Sequence, residues 1–306
     1  MSDSYILLKI KEFCILSIYI LQKLTKSVII RNMKTLNNKK NKDERIKASD
    51  LPNYLLSHGI TSITTNEIAD ILRISPNHVP QRMQALKKKN MIVAPAKGLW
   101  IPIPPEYMTW GALPAIDMIN SLMKHLEVSF YVGWLSAAAY LGASHHAPQV
   151  FQVAVSRSIR NRVIGRSDIR FYHRSNIVNI NTILIESRSG KVPISSRETT
   201  LLDIANDVSI AGGLDNTANL AIELCDAEKP QVSSIAYLSR FYPASASRRL
   251  GWLLENFTDI KDVDLLKKEI STRDAAASVL DPLSDKIGII DYSWNLKINR
   301  VLDPDV

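Results

Sequence analysis

The residues of this 306-residue chain that could perform catalysis fall into incomplete sets. Asp168 with Glu186-Ser187-Arg188 resembles the metal-dependent nuclease pattern of an acid followed by Glu-x-Lys, but arginine cannot give up a proton as lysine can. Asp262-Val263-Asp264 could chelate a metal, but no Gly-Ser loop precedes it, as a nucleotidyltransferase would need. His145 and His146 lack a further ligand at metal-binding spacing.

Two adjacent serines, Ser195 and Ser196, precede a predicted helix and have no histidine and acid arranged to activate them. Taken together, the two serines and the incomplete acid and histidine sets predict no catalytic residue, no metal site and no cofactor. We therefore expect a protein without enzymatic activity.

A second set of side chains is suited to reading DNA. Asparagine and glutamine pair with adenine, and arginine with guanine, through paired hydrogen bonds in the major groove. Lysines contact phosphates and fix the register of a protein on the duplex. The predicted base-reading residues are Asn77, His78, Gln81, Arg82 and Gln84, and the predicted phosphate contacts are Lys87, Lys88, Lys89 and Lys97.

A helix-turn-helix would position these residues. Residues 51–58 have helical spacing of apolar side chains, and Gly59 ends that helix. Thr64 and Glu67 predict a capping box at the start of the next helix, because each can satisfy the other's backbone amide. After a short turn, Ser75 is a good N-cap and Pro76 suits the first helical position.

The second helix of the motif is predicted from Val79, Met83 and Leu86, which share one face. Pro80 leaves its start open: the helix is either kinked there or begins only at that residue. Two apolar runs then flank residues 95–98 and predict a hairpin with a basic tip, the wing of a winged helix. Since winged helices also bind proteins, that role is the alternative.

Arginines are concentrated between residues 157 and 174. The cluster, which has Asp168 as its one acidic residue, consists of Arg157, Arg160, Arg162, Arg166, Arg170 and Arg174. We predict a second contact with the DNA backbone, for which six phosphate contacts give a log–log salt slope of roughly −5. The alternative is a solvated hairpin whose arginines pair with acidic neighbours such as Asp203 or Asp207.

The net charge of +8 is unevenly distributed along the chain. Residues 1–48 hold eleven basic and four acidic residues, net +7, and residues 49–105 hold six and three, net +3. The remainder has 21 basic and 23 acidic residues, net −2. A basic N-terminal region followed by a nearly neutral remainder favours an anionic partner that binds the N-terminal region.

We accordingly divide the chain into a basic, flexible extension (1–48), a winged helix-turn-helix (49–103) and a larger C-terminal domain (104–306). The apolar stretch near the start is interrupted by charges, so it predicts neither a membrane span nor a signal peptide. Translation from Met33 is the alternative to a genuine extension. Two cysteines exclude a disulfide scaffold and agree with a cytoplasmic protein.

The C-terminal region alternates between helical and strand patterns. Helices are expected at 113–126, 131–141, 214–226, 231–240, 245–256 and 260–269, with a further helix through Ile204 that opens with a capping box, Ser195 and Glu198. Strands are expected at 151–155, 168–174, 177–185, 191–194, 287–290 and 294–298. The predicted fold class is α+β, with an N-terminal winged helix before a larger, mainly helical α+β domain.

Four segments in order resemble the AbiEi antitoxin family of type IV toxin–antitoxin (abortive infection) systems. They are YVGWLSAA (131–138), ISSRETTLLD (194–203), GGL (212–214) and RRLGWLL (248–254), and the resemblance covers about residues 50–300. It implies an antitoxin that binds double-stranded operator repeats, represses its own operon and neutralises a nucleotidyltransferase-like toxin without a stable complex.

Two other functions stay open from the sequence. One is a winged-helix transcription regulator whose C-terminal domain senses a small molecule. The other is a metal-dependent nuclease that the winged helix targets to DNA.

Overall fold

The computed structural model describes residues 46–143, 148–273 and 276–304. Ala48–Val306 forms one compact unit, and the following description concerns that unit. The predicted extension, residues 1–48, lies almost wholly outside the described residues, as do His145 and His146. Within the described ranges, no helix combines the length and apolar character needed to cross a bilayer.

Helices and strands are both abundant, as expected for an α+β fold. The helices are α1 (Leu51–Ser57), α2 (Thr65–Leu72), α3 (Val79–Lys88), α4 (Ala115–Leu126), α5 (Trp134–Tyr140), α6 (Arg197–Asn206), α7 (Leu214–Ala227), α8 (Val232–Leu238), α9 (Ala244–Phe257) and α10 (Asp264–Ser271). The strands are β1 (Ile63–Thr64), β2 (Ile92–Ala96), β3 (Leu99–Pro102), β4 (Phe130–Val132), β5 (Val150–Val155), β6 (Arg162–Ile164), β7 (Ser167–His173), β8 (Thr182–Ile185), β9 (Val192–Ser195), β10 (Ser278–Val279), β11 (Ile289–Asp291) and β12 (Leu296–Ile298). Short 3-10 helices cover Ala48–Asp50, Pro76–His78, Pro105–Trp110, Ile177–Asn179 and Ser239–Phe241.

The first three helices pack beside a small antiparallel sheet of order β1-β3-β2. Helix α2 begins with the predicted capping box: the Thr64 backbone amide donates to Glu67 Oε2 at 2.7 Å, and the Glu67 amide donates to Thr64 Oγ1 at 3.3 Å. It ends at Leu72, and the C-cap residue Arg73 has a left-handed backbone (φ 52°) that turns the chain towards α3.

Pro80 neither kinks α3 nor forms its first residue. The turn before the helix is 3-10 over Pro76–His78, and the α-helix starts at Val79. Pro80 therefore occupies the first turn, where the missing N–H would have had no partner within the helix. The predicted capping role of Ser75 is only partly correct, because its side chain makes no cap hydrogen bond.

A six-stranded mixed sheet of order β6-β7-β5-β4-β9-β8 organises the rest of the unit. Its strands separate two hydrophobic cores. Val153 and Val155 of β5 face a core with α4, whereas Ala154 between them faces a core formed with the helices from α5 onwards. This alternation follows from the two-residue repeat of a strand.

Residues 101 and 102 belong to the buried strand β3, and residue 103 directly follows it. Ile101 and Ile103 are buried in the core that contains Met118, Ile119 and Leu122 of α4. The β2–β3 hairpin and the following residues therefore share one hydrophobic core.

Three local predictions were wrong. The helix expected at 131–141 begins only at Trp134, because Phe130–Val132 pairs with β5 as a strand. The predicted capping box of Ser195 and Glu198 does not form: Ser196 caps α6 by accepting from the Thr199 amide, and Glu198 accepts from the Gln231 amide. Only the second half of 177–185 is a strand; its first three residues form a 3-10 helix.

Candidate nucleic-acid interface

Helix α3 separates an apolar face from a polar one. Val79, Met83 and Leu86 are buried. The nine residues predicted to read bases or contact phosphates are all exposed, namely Asn77, His78, Gln81, Arg82, Gln84, Lys87, Lys88, Lys89 and Lys97. The first two lie in the 3-10 turn before α3, and Lys97 lies at the tip of the β2–β3 hairpin.

One backbone and one side-chain hydrogen bond tie the hairpin to α2. The Thr65 amide donates to the Gly98 carbonyl at 3.0 Å, and the Trp100 Nε1–H donates to Thr65 Oγ1 at 2.9 Å. His125 Nε2 lies 3.0 Å from the Lys97 carbonyl on the other side. These contacts fix the backbone of the tip and leave the Lys97 side chain exposed.

The β6–β7 hairpin carries Arg162, Arg166 and Arg170 of the arginine cluster and lies against residues 110–113. The Arg166 amide donates to the Trp110 carbonyl at 3.1 Å, and Ser167 Oγ donates to the Leu113 carbonyl at 3.1 Å. A Cβ on Gly165 would lie 2.4 Å from the Trp110 carbonyl oxygen, so only glycine permits this approach.

The six arginines of the cluster have different surroundings. Arg157 donates to the Leu126 carbonyl at 2.8 Å, and Arg166 lies 5.9 Å above the Trp110 ring. Arg170 pairs with Asp168 at 3.3 Å while half-exposed, and Arg160 is exposed. Arg162 is partly buried and donates to the Pro95 carbonyl at 2.7 Å.

Arg174 does not belong to the exposed cluster. Its guanidinium forms an ion pair with Asp203 and lies 3.7 Å from Asp207, and its side chain is only 10% exposed. The alternative of an arginine paired with these two acids therefore describes Arg174, but not the exposed arginines.

Asp203 is the centre of a buried polar cluster. Its carboxylate accepts hydrogen bonds from the Tyr131 hydroxyl at 3.0 Å, from the Tyr242 hydroxyl at 2.7 Å and from Arg174. Arg174 also lies 4.7 Å above the ring of Tyr242. Burial raises the pKa of Asp203 to about 6, so this carboxyl group titrates close to neutral pH.

Strained backbone accompanies this cluster. Trp134 has a φ of 49°, although it is not glycine, and its Nε1–H donates to Asp207 Oδ2 at 3.0 Å. A Cβ on Gly133 would lie 3.3 Å from Asp203 Oδ2. Above the cluster is an open cleft of about 800 Å³ whose lining includes Trp134, Tyr172, Arg174, Asn206 and Phe241.

The sequence patterns placed Tyr131 and Trp134 in a predicted helix and named Asp203 as a possible partner of the arginine cluster. Asp203 lies 72 residues after Tyr131 along the chain, so spacing gave no sign that the two tyrosines and Asp203 meet. The available signal was the position of Tyr131, Trp134 and Asp203 inside the family-like segments 131–138 and 194–203.

A comparison with known protein families identifies the part of the chain that contains the Asp203 cluster. Residues 131–256 match the family model of the AbiEi antitoxin C-terminal domain. The chain therefore carries an AbiEi antitoxin C-terminal domain over these residues.

The fold has a solved counterpart. The crystal structure of the RV2827C protein from Mycobacterium tuberculosis superposes with a TM-score of 0.60 at 15% identity, over 83% of this chain and 92% of that one. At this identity the likeness shows the fold alone. No curated protein matches the chain.

Within the AbiEi domain, the four family-like segments have structural roles. The first two segments meet at Asp203, and GGL (212–214) leads into α7. In the fourth segment, Arg249 is buried and donates to the carbonyls of Leu280 at 2.6 Å and Val279 at 3.0 Å. Arg249 therefore holds the strand β10 region against α9 and is not a surface cation.

The acids of the nuclease-like pattern do not converge. Asp168 lies on β7 and Glu186 follows β8, and three strands separate β7 from β8 in the sheet. Four steps of about 4.8 Å place the two strands roughly 19 Å apart, too far to share a metal ion. Among the described residues, no group of three potential ligands could hold a metal.

The titration of Asp203 gives a testable pH dependence. Its folded pKa of about 6 lies above the ordinary value, so the folded state binds the proton more tightly than the unfolded state. This contribution to stability is fully present below about pH 4 and is lost as the pH rises through 6. We expect the stability of the wild type relative to Asp203→Asn to fall by about 2 kcal/mol between pH 4.5 and 7.5.

Urea unfolding of both proteins at the two pH values measures this difference. A difference that stays constant with pH would show that Asp203 does not titrate in this range.

Proposed function

We propose that this antitoxin binds operator DNA upstream of its own operon and represses it. The observation that carries the proposal is the exposed polar face of α3, where Gln81, Arg82, Gln84, Lys87 and Lys88 lie opposite a buried apolar face. The other four predicted DNA contacts are also exposed, in the turn before α3, just after α3 and at the hairpin tip. A surface serving only solubility would not require the asparagine, glutamine and arginine side chains that match base edges.

The arrangement of the first elements supports a winged helix-turn-helix. Helices α2 and α3 are joined by a short turn, and the β2–β3 hairpin follows in a sheet with β1. In such modules the second helix enters the major groove and its early residues contact bases. Because α3 begins at Val79, Gln81, Arg82 and Gln84 lie in its first two turns and Asn77 and His78 lie just before them.

The proposed roles follow from position. Asn77, His78, Gln81, Arg82 and Gln84 read bases, while Lys87, Lys88 and Lys89 at the end of α3 contact phosphates. Lys97 is the proposed phosphate contact of the wing.

The exposed arginines of the β6–β7 region extend this interface in our proposal. Arg157, Arg160, Arg166 and Arg170 contact the DNA backbone, whereas Arg174 is excluded because its charge is paired in the interior. The contact of the adjacent Arg162 with the proposed wing supports this extension, because it places the two hairpins side by side.

Removing charge from the arginine hairpin should weaken DNA binding in a salt-dependent way. Replacing Arg160, Arg166 and Arg170 by glutamine should make the log–log salt slope less negative by about 2–3, since each phosphate contact contributes about 0.9. The matched control removes three exposed lysines from other elements, Lys229, Lys268 and Lys286. Equal salt slopes for the two variants would show that these arginines do not contact the DNA.

The antitoxin role extends, in our proposal, to a nucleotidyltransferase-like toxin encoded beside it, in the cytoplasm and without a stable complex. The protein itself performs no catalysis. Coexpression with the adjacent toxin gene tests this: growth should recover, and the tagged antitoxin should not retain the toxin on purification. A variant with Gln81, Arg82 and Gln84 replaced by alanine should still restore growth while its operon is derepressed. A variant that loses both the rescue of growth and the repression of the operon would contradict the separation of the two roles.

A ligand-sensing regulator is the second candidate, and the open cleft above Asp203 favours it. The cleft has a volume within the range of small-molecule sites. Loss of operator affinity on adding a deproteinised cell extract would support this candidate, whereas unchanged affinity would favour the antitoxin without a sensor.

A further inference from the structure

The β2–β3 hairpin, which is the proposed wing, contains a β-bulge. A backbone carbonyl of this bulge accepts a hydrogen bond from Arg162, a residue of the AbiEi domain. Val93 pairs with Ile101 and Ala96 with Leu99, so Ala94 and Pro95 lie opposite the single residue Trp100. Bulges take backbone groups out of the strand ladder. The Pro95 carbonyl is accordingly available, and it accepts a hydrogen bond from Arg162 Nη1 at 2.7 Å.

Arg162 is held in a position that suits this contact and not a phosphate. It is less exposed than its neighbour Arg160, its Nε is buried without a hydrogen-bond partner, and burial lowers the pKa of its guanidinium. The loop before it is fixed, because Asn161 Oδ1 accepts from the Phe171 amide at 2.9 Å.

The bulge is also held from two other directions. Ala96 and Leu99 are buried in the core that α4 shares, and His125 of α4 contacts the Lys97 carbonyl. On the side of α2, Thr65 binds the Gly98 carbonyl. Several contacts thus hold the hairpin tip in position, and Arg162 provides the charged one.

We propose that Arg162 is a positioning residue for DNA binding: it fixes the bulge of the wing so that Lys97 meets the phosphate backbone. The inference rests on the proposed function and changes the role predicted for Arg162 from direct phosphate contact to indirect positioning. It also makes the β6–β7 hairpin a route by which the C-terminal region controls operator affinity.

A double-mutant cycle on the full chain tests the inference. Arg162→Gln and Lys97→Gln are made singly and together, and affinity for the protein's own upstream duplex is measured by fluorescence anisotropy. Loss of a charged hydrogen bond should weaken binding about 10-fold in Arg162→Gln. In the Lys97→Gln background the same change should cost less than 2-fold, because its effect passes through Lys97. The control cycle pairs Lys97→Gln with Arg160→Gln, whose effects should multiply.

A second measurement does not depend on DNA. The protein has five tryptophans, and Trp100 lies opposite the bulge. In fluorine NMR of fluorotryptophan-labelled protein, the Trp100 resonance, assigned with Trp100→Phe, should shift in Arg162→Gln and stay unchanged in Arg160→Gln. Arg162→Lys replaces Arg162→Gln in both measurements if the latter does not fold.

The outcomes separate the two claims. Multiplicative effects of Arg162 and Lys97 in a wild type that binds its operator would overturn the positioning role and leave the proposed function intact. An unmoved Trp100 resonance would overturn the positioning role as well. A wild type that does not prefer its own operator contradicts the proposed function, and the Trp100 resonance then decides the bulge contact alone.

Discussion

Replacing Arg174 by methionine should lower the free energy of unfolding by about 3–5 kcal/mol, because it leaves a buried carboxylate without its cation. Asp203 is fully buried and would keep only the hydroxyls of Tyr131 and Tyr242 as donors. Methionine preserves much of the length of arginine. The lost free energy of unfolding therefore comes mainly from the broken ion pair and less from a new cavity.

The matched control is Arg170→Met on β7, the strand that Arg174 directly follows. Arg170 is half-exposed and pairs with Asp168 at 3.3 Å, so its loss should cost no more than about 1 kcal/mol. Urea unfolding of the two variants and the wild type gives both values. Equal costs would mean that the Asp203 cluster does not hold the AbiEi domain together.

Replacing Arg82 by alanine should reduce affinity for the protein's own operator by about 5- to 150-fold, which corresponds to 1–3 kcal/mol for one base-reading pair. Arg82 is exposed in the first turns of α3, where the proposed recognition helix meets base edges. Affinity for a scrambled duplex should change much less, so the preference for the operator should fall.

Lys88→Ala serves as the control for Arg82→Ala. Lys88 is an exposed residue at the end of α3 and contacts phosphate in the proposed arrangement. Its loss should weaken operator and scrambled DNA alike and make the salt slope less negative by about 0.9. If Arg82→Ala behaves in the same way as Lys88→Ala, Arg82 does not read a base.

Local interactions explain the parts of the fold that could be predicted from sequence. The Thr64–Glu67 capping box involves residues three apart, and the structure contains it as predicted. The buried face of α3 follows from the spacing of Val79, Met83 and Leu86. These features depend on side chains within one or two turns, which the sequence displays directly.

Predictions failed where distant contacts decide the structure. Tyr131 and Val132 were expected in a helix, but pairing with β5, more than 20 residues away, places them in the sheet. Ser195 and Ser196 both suit a helix cap, and the position of β9 in the sheet leaves that role to Ser196.

The candidate site shows the same limit. The exposure of the nine predicted DNA contacts follows from helical periodicity in and around α3 and from the hairpin pattern, and could be predicted. The different surroundings of Arg162 and Arg174 could not, since Pro95 and Asp203 are remote from them along the chain. A run of arginines predicts a positive surface, but only tertiary contacts show which charges remain available.

The central claim is that α3 and the wing recognise one DNA sequence. Purified protein should be titrated by fluorescence anisotropy against its own upstream intergenic duplex and against a scrambled duplex of equal length, at two salt concentrations. We expect a preference of about 10³-fold or more for its own DNA at both concentrations, as for specific operator binding. Equal, weak and salt-sensitive binding to both duplexes would contradict the claim and favour a protein-binding role for the first three helices.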